Sequence, residues 1–379
     1  MEDKHMLMIP GPTPVPEKVL ISLGTHPIGH RSGGFSKIIE EINENLKWLH
    51  QTKNEVLSLN VSGTGAMEAG MINFLSPGDR VLVGVNGKFG DRWAQICEVF
   101  GMNTERITSD WGTPLDPEEF RAKLEADTNK EIKAVVITHS ETSAGVLNDL
   151  ETINKYVKAH GEALIIVDAV TSLGAYNVPV DDWGLDVVAS GSQKGYMIPP
   201  GLGFISVSDK AWKAYETSKF PRFYMDLGKY KKANAKNSTP FTPPINLMFG
   251  LQTALQMMQR EGLENIFARH QRLTNATRAA AKAMGLDLLA PDDFASTAVT
   301  AIRTNDAEAI RSTMNKKYDI ALAGGQDHLK GKIFRVGHLG FISDRDVIMT
   351  IGCLEATLTE LGHGFEPKSG TKAAAAVLA

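Results

Sequence analysis

Leu185-Asp186-Val187-Val188-Ala189-Ser190-Gly191-Ser192-Gln193-Lys194-Gly195 reads as an apolar strand that runs into a loop of small residues and delivers one lysine. Earlier in the chain, Ala163-Leu164-Ile165-Ile166-Val167 is a second such run, and it ends in Asp168. Further apolar runs, Arg80-Val81-Leu82-Val83, Ala134-Val135-Val136-Ile137 and Gly203-Phe204-Ile205-Ser206-Val207, are separated by helical or turn segments. This alternation predicts an α/β fold with a largely parallel sheet covered by helices. Ligands of such sheets sit at the carboxyl ends of the strands. Thr138, Asp168 and the Gln193-Lys194 loop fall there.

An amine and a carboxylate at one sheet edge suit imine chemistry. An aldehyde cofactor such as pyridoxal phosphate needs an amine for its Schiff base and an anion that keeps its ring nitrogen protonated. Taken singly, a strand ending in Asp and a loop holding Lys are usually solvated surface charges. A phosphate site joins them. Val56-Leu57-Ser58-Leu59-Asn60-Val61 reads as a strand, and Ser62-Gly63-Thr64-Gly65-Ala66-Met67-Glu68 as a turn that opens a helix running through Leu75. Glycines let the backbone approach an anion, first-turn N–H groups donate to phosphate oxygens, and the Ser62 and Thr64 hydroxyls add donors. The loop lacks the Gly-Lys-Ser/Thr of a Walker A motif, and Glu68 stands where a dinucleotide fingerprint has its third glycine. The plain alternative is a capped helix, with Thr64 supplying the cap.

From about Pro10 to Leu361 the chain resembles the class V aminotransferases of the alanine–glyoxylate and serine–glyoxylate type. Seven motifs in order carry the resemblance: Pro10-Gly11-Pro12, Gly29-His30-Arg31, Ser62-Gly63-Thr64, Thr138-His139-Ser140-Glu141-Thr142, Val167 through Gly174, Gly191-Ser192-Gln193-Lys194 and Gly331-Lys332-Ile333-Phe334-Arg335. The resemblance implies fold type I, a large domain with a mostly parallel seven-stranded sheet and a smaller C-terminal α/β domain. It implies pyridoxal 5'-phosphate as cofactor and an amino acid and a 2-oxo acid as substrates. Lys194 would form the internal aldimine, Asp168 would pair with the ring nitrogen, and Ser62, Gly63, Thr64 and Gln193 would hold the phosphate. Phe89 matches the family's stacking aromatic, where better-known animal members carry Trp. Thr142 matches a hydroxyl near the cofactor's phenolic oxygen, and Val170 the aliphatic residue on the other ring face. His139 is taken as a hydrogen-bonded structural residue and not as a catalyst.

Arg335 is the expected substrate anchor, because a guanidinium meets an α-carboxylate with two parallel charge-assisted bonds. Its apolar flanks Ile333, Phe334 and Val336 predict a strand that carries it inward. Thr239-Pro240-Phe241-Thr242-Pro243-Pro244 breaks both helix and strand periodicity and reads as a loop. In the family the matching segment crosses a homodimer interface, so that its hydroxyls touch the neighbouring chain's cofactor phosphate. Relatives place Tyr at the Thr239 position and histidines at Pro240 and Phe241, which leaves Thr242 as the expected contact.

The chain has 379 residues, 42% of them hydrophobic and 22% charged, with a net charge of −4. That length exceeds a usual single core, and the charge gives no electrostatic reason for a nucleic-acid or membrane partner. The expected division is a large domain over residues 16–269, a small one over 270–365 completed by 1–15, and a frayed tail over 366–379. Met1-Glu2-Asp3-Lys4-His5 opens with mixed charge, and no apolar stretch approaches ~20 residues, so the expected location is cytoplasmic. Cys97, read as buried in a helix from Asp91 to Phe100, and Cys353 are the two cysteines, and no metal-ligand spacing accompanies them. His26 and His30 stand four apart, but Pro27 and Gly29 oppose a helix there.

Two other functions are weighed. Close relatives in photosynthetic microbes carry the label of a soluble hydrogenase small subunit, which makes an accessory role in such an assembly the alternative from another class. Two scattered cysteines cannot hold a four-cysteine cluster. A cysteine desulfurase of the same fold needs a catalytic cysteine on a mobile loop, and neither cysteine lies in a glycine-rich one. Alanine and serine both remain open as amino donor.

Overall fold

The computed structural model describes residues 5–379. The reading of Met1 to Lys4 lies outside the described residues. A seven-stranded sheet runs in the order Val56–Leu59, Gly203–Val207, Val187–Gly191, Leu164–Asp168, Ile132–Thr138, Arg80–Val85, Asn103–Thr108. The last five strands pair in parallel. Gly203–Val207 is antiparallel to both of its neighbours. Its exception has a simple cause: residues 192–202 join it to the preceding strand, and a parallel crossover takes a dozen or more residues. The lysine loop is therefore a hairpin, with Ser192 N–H donating to Leu202 O at 2.9 Å.

Both faces of the sheet are buried, and the strands alternate between them with a period of two. Val135, Ile137, Ile165 and Val167 join one core with the helices Gly33–His50, Leu150–His160 and Ile245–Glu261. Ala134, Val136, Leu164 and Ile166 join the other core with the helices Gly63–Ile72 and Lys88–Val99. Continuous apolar runs such as Leu164 to Val167 satisfy two cores at once, which is why they read as strands of a covered parallel sheet.

A second, five-stranded sheet has the order Met6–Met8, Ile320–Gly324, Ile333–Gly337, Val299–Arg303, Asp287–Leu288. Met6–Met8 pairs in parallel with Ile320 to Leu322, so the amino-terminal segment is built into this smaller unit. The helix Leu263–Ala283 links the two units: Ile266 belongs to a core of the large sheet, and Leu273 and Ala276 to the core of the small one.

The expected frayed tail is corrected. Ser369–Leu378 is a helix packed on Leu263–Ala283 and Asp344–Glu360. Gly370 N–H donates to Glu355 Oε1 at 2.9 Å, and Ala374 is fully buried. Low complexity here means alanine, which is the best helix former and small enough for close packing. Among the described residues no helix is long and apolar enough to cross a membrane.

Candidate active site

At the carboxyl ends of the parallel strands lies a cavity of about 190 Å3. Asp168 ends its strand level with Thr138 on one neighbour and Ala189 on the other. Lys194 arrives from the hairpin that follows Val187–Gly191. Tyr196 fixes that hairpin, because its buried hydroxyl bonds both His50 Nε2 at 2.8 Å and Ser190 Oγ at 2.7 Å. The amino-terminal segment closes over the same loop: Thr13 N–H donates to Gln193 O, Thr13 Oγ1 to Lys194 O, and Lys194 Nζ donates to Pro10 O at 2.8 Å. Gly11 has φ +132°, and a Cβ there would stand 2.5 Å from Lys194 Nζ. Only glycine fits that approach.

Burial lowers the Lys194 amine to about 8; Asp168 opposes the shift, and Arg335 and Arg92 add to it. At pH 7 this leaves roughly a tenth of the amine neutral, against a few parts in ten thousand for a lysine at 10.5. Burial also raises the Asp168 carboxyl to about 6, against the Val170 N–H and Lys194, with the Glu141 charge adding to the rise. Asp168 Oδ1 accepts the Val170 N–H at 2.9 Å.

Ser62 caps the helix Gly63–Ile72, its hydroxyl accepting from Gly65 N–H, so the cap falls on Ser62 and not on Thr64. Gly63 and Thr64 thus present first-turn N–H groups that lack intrahelical partners. A Cβ on Gly65 would meet Val61 at 2.7 Å, which explains the small residue there. The Ser62, Gly63, Thr64 loop, Phe89 and Thr142 all line the cavity. So do Asp168, Val170, Gln193 and Lys194. Gln193 Oε1 is buried without a hydrogen-bond partner.

Two expected residues stand apart. Thr242 is outside its own chain's cavity, and its carbonyl accepts from Asn60 Nδ2 at 2.9 Å. Arg335 lies behind Thr142: Nη1 donates to Thr142 O at 2.7 Å, while Nε and Nη2 donate to Gly324 O at 2.9 and 2.7 Å. A guanidinium has five N–H donors, so one remains on each terminal nitrogen. Burial lowers the Arg335 pKa but leaves it charged at neutral pH.

His139 is corrected in part. It is buried and outside the cavity, yet its ring Nδ1 has no hydrogen bond. The ring packs edge-on against Tyr176 and Trp183 with centroids 5.4 and 5.9 Å away. Burial holds it neutral, with a pKa near 3.

Glu141 has a role that the sequence reading did not assign. Its fully buried carboxylate accepts Phe89 N–H at 2.9 Å and Gly90 N–H at 3.0 Å through Oε2, and Ser143 N–H and Oγ–H through Oε1. Ser143 Oγ in turn accepts Lys88 N–H. The turn therefore caps the helix Lys88–Val99 from outside, where its own N-cap, Gly87, has no side chain to offer. Burial pushes the Glu141 pKa up, and the bonds from Ser143, Gly90 and Phe89 oppose that rise, as does the helix dipole. Met67, Arg92, Ser140 and Thr171 also line the cavity and were not expected.

The model of the family described as aminotransferase class-V matches residues 18–337. The chain belongs to the class V aminotransferases. A relative from Paracoccus denitrificans, L-aspartate–glyoxylate aminotransferase, is 37% identical and aligns over 99% of this chain and 96% of its own. A protein of Anabaena cylindrica named soluble hydrogenase 42 kDa subunit is 68% identical, over 100% of this chain and 99% of its own. The crystal structure of ureidoglycine–glyoxylate aminotransferase from Bacillus subtilis superposes with a TM-score of 0.93 at 29% identity, over 100% of this chain and 99% of that one.

Class V aminotransferases use pyridoxal phosphate, and the cavity suits it. It offers a buried amine of lowered pKa, a buried carboxylate, the side-chain amide of Gln193 and a helix terminus with free N–H groups. Gly63 keeps the terminus open beside Val170, since a Cβ there would meet Val170 Cγ2 at 3.3 Å.

Proposed function

We propose that this aminotransferase moves an amino group from a small amino acid, alanine or serine, to glyoxylate by a ping-pong mechanism. The observation that carries this reading is one cavity that joins Lys194, Asp168 and the Ser62 to Thr64 helix terminus. The acceptor is supported by two of the similar proteins, both named for glyoxylate although their donors differ.

Bound pyridoxal phosphate supplies the electron sink that makes an amino acid Cα–H acidic. Lys194 Nζ would hold the cofactor's aldehyde, and as a free amine it would serve as the general base and acid for the substrate Cα proton. Its lowered pKa keeps a neutral, basic fraction available near pH 7. Asp168, with acceptor capacity left on Oδ2, holds a proton on the ring nitrogen, and that cation in turn favours the ionised carboxylate. Phe89 and Val170 both line the cavity and would flank the ring. The two free N–H groups of Arg335 form a fork for the substrate α-carboxylate, already oriented by the bonds to Gly324 and Thr142.

Thr242 reaches the phosphate of a second copy in a homodimer. This is supported by its place outside its own cavity and by the exposed rings of Phe223 and Tyr224 beside Phe241. A fully active monomer in solution would remove that part of the reading. The cytoplasm is the proposed location.

The name of the Anabaena relative favours a second reading, an accessory subunit of a hydrogenase. Among the described residues no three His, Cys, Asp or Glu side chains stand where they could hold a metal ion. Burial raises the Cys97 thiol to about 12, which suits packing and not ligation. The deciding assay incubates the protein with glyoxylate and alanine, serine or aspartate. Glycine formed with pyruvate or hydroxypyruvate supports the proposal. Glycine formed from aspartate alone overturns the donor, and no glycine from any donor overturns the function.

A further inference from the structure

Arg92 projects into the cavity one helical turn after Phe89, on the helix Lys88–Val99. Its guanidinium carbon lies 5.0 Å from the Phe89 ring centroid, and Nη1 donates to Thr64 Oγ1 at 3.2 Å. The neighbouring Asp91 is taken by Arg106 and Lys88, and among the described residues no ion pair includes Arg92. A guanidinium held by a ring and a hydroxyl, facing a cavity and lacking a carboxylate, is placed for an anion from outside the chain.

Two anions belong in this cavity, and geometry separates them. The α-carboxylate is served by Arg335, which hangs from Thr142 O and Gly324 O. Arg92 instead bonds Thr64, in the first turn of Gly63–Ile72, where the unpartnered N–H groups gather. Those donors are neutral, and the helix end supplies only about half a charge against the −1.5 to −2 of a phosphate monoester at pH 7.

We propose that Arg92 binds the phosphate of the cofactor and supplies the full positive charge that the loop lacks. This rests on the pyridoxal phosphate reading of the cavity. Because the same side chain lies over Phe89, it also ties the phosphate end of the site to the aromatic that flanks the ring.

The test measures equilibrium binding of pyridoxal phosphate and of pyridoxal, which has the same ring and aldehyde without the phosphate. Titrations followed by absorbance compare the wild type, Arg92→Gln and Arg92→Lys. Arg92→Gln is expected to weaken pyridoxal phosphate about 10- to 100-fold and pyridoxal less than about 2-fold, the range set by a hydrogen bond to a charged group. Arg92→Lys keeps the charge and the long stem, and is expected to fall between Arg92→Gln and wild type for the phosphate form alone. Equal weakening of both aldehydes would mean that Arg92 acts through Phe89, which overturns the proposal. Unchanged pyridoxal phosphate binding with a higher KM for aspartate but not alanine would assign Arg92 to a donor's distal carboxylate, and also overturns it. A wild type that binds neither aldehyde fails earlier, at the cofactor reading itself.

Discussion

Replacing Arg335 by lysine keeps a positive charge and removes a planar fork. In the structure three of its donors are spent on two backbone carbonyls, Gly324 O and Thr142 O, which leaves one N–H on each terminal nitrogen for the proposed substrate contact. A lysine ammonium has three donors at a single point, so it cannot bridge both carbonyls and still present two parallel bonds. The lost substrate interaction is about 1.5–3 kcal/mol, the range for hydrogen bonds to charged groups, which corresponds to roughly 10- to 100-fold in kcat/KM. A carbonyl left without a partner adds about 1–3 kcal/mol of lost stability, read separately by denaturation. The assay is the single-turnover rate of the cofactor-loaded protein against donor concentration, alongside the dissociation constant of the cofactor. The expected result for Arg335→Lys is a 10- to 100-fold fall in kcat/KM with cofactor affinity unchanged. Unaltered kcat/KM would remove Arg335 from substrate binding. A loss confined to cofactor affinity would make it a strut for the Thr142 turn.

Two further predictions concern buried charge. The Lys194 pKa falls from 10.5 to about 8 on folding, so the unfolded chain binds more protons between those values. Stability of the cofactor-free protein therefore rises as pH is raised through that window, and the full cost is present below pH 8. Lys194→Met abolishes that slope and is expected to stabilise the cofactor-free protein by about 2 kcal/mol at pH 7, after allowing for the lost bond to Pro10 O. Urea unfolding at pH 7 and pH 9.5 checks it, and a variant no more stable than wild type at pH 7 contradicts a buried, costly ammonium. Glu141→Gln sets an amide NH2 against the N–H groups of Phe89 and Gly90 or against that of Ser143, whichever way the amide turns, and is expected to cost about 2–4 kcal/mol of stability and to weaken cofactor binding through Phe89. Wild-type stability with wild-type affinity would show that the turn does not hold that helix.

The parts legible in the sequence were those fixed locally. Abrupt apolar runs ending in Asp168 and in the Gln193-Lys194 loop put both groups at one sheet edge, because strand ends and helix termini are set by residues within one turn of them. The antiparallel return through Gly203–Val207 was hidden in a loop length, with residues 192–202 too few for a helical crossover. Glu141 lies within the Thr138 to Thr142 motif, but its partners, Phe89 and Gly90, are distant in sequence, and no periodicity joins them. Arg92 had a usable signal: it stands three residues after Phe89 on a helix, and such positions share a face. In the tail the alanine run reads as low complexity, yet alanine is also the best helix former, and Ser369–Leu378 is a helix. His139 reads as a hydrogen-bonded structural residue, but its ring is held by Tyr176 and Trp183, partners distant in sequence that no local pattern announces.

The central claim is that Lys194, Asp168 and the Ser62 loop hold pyridoxal phosphate for amino transfer. The most direct measurement is the visible absorption spectrum of the purified protein after incubation with pyridoxal phosphate, then with alanine or serine, then with glyoxylate. Imine absorption that bleaches with one of the amino acids and returns with glyoxylate is the predicted result, and it names the donor. A protein that stays colourless after incubation with the cofactor would contradict the account.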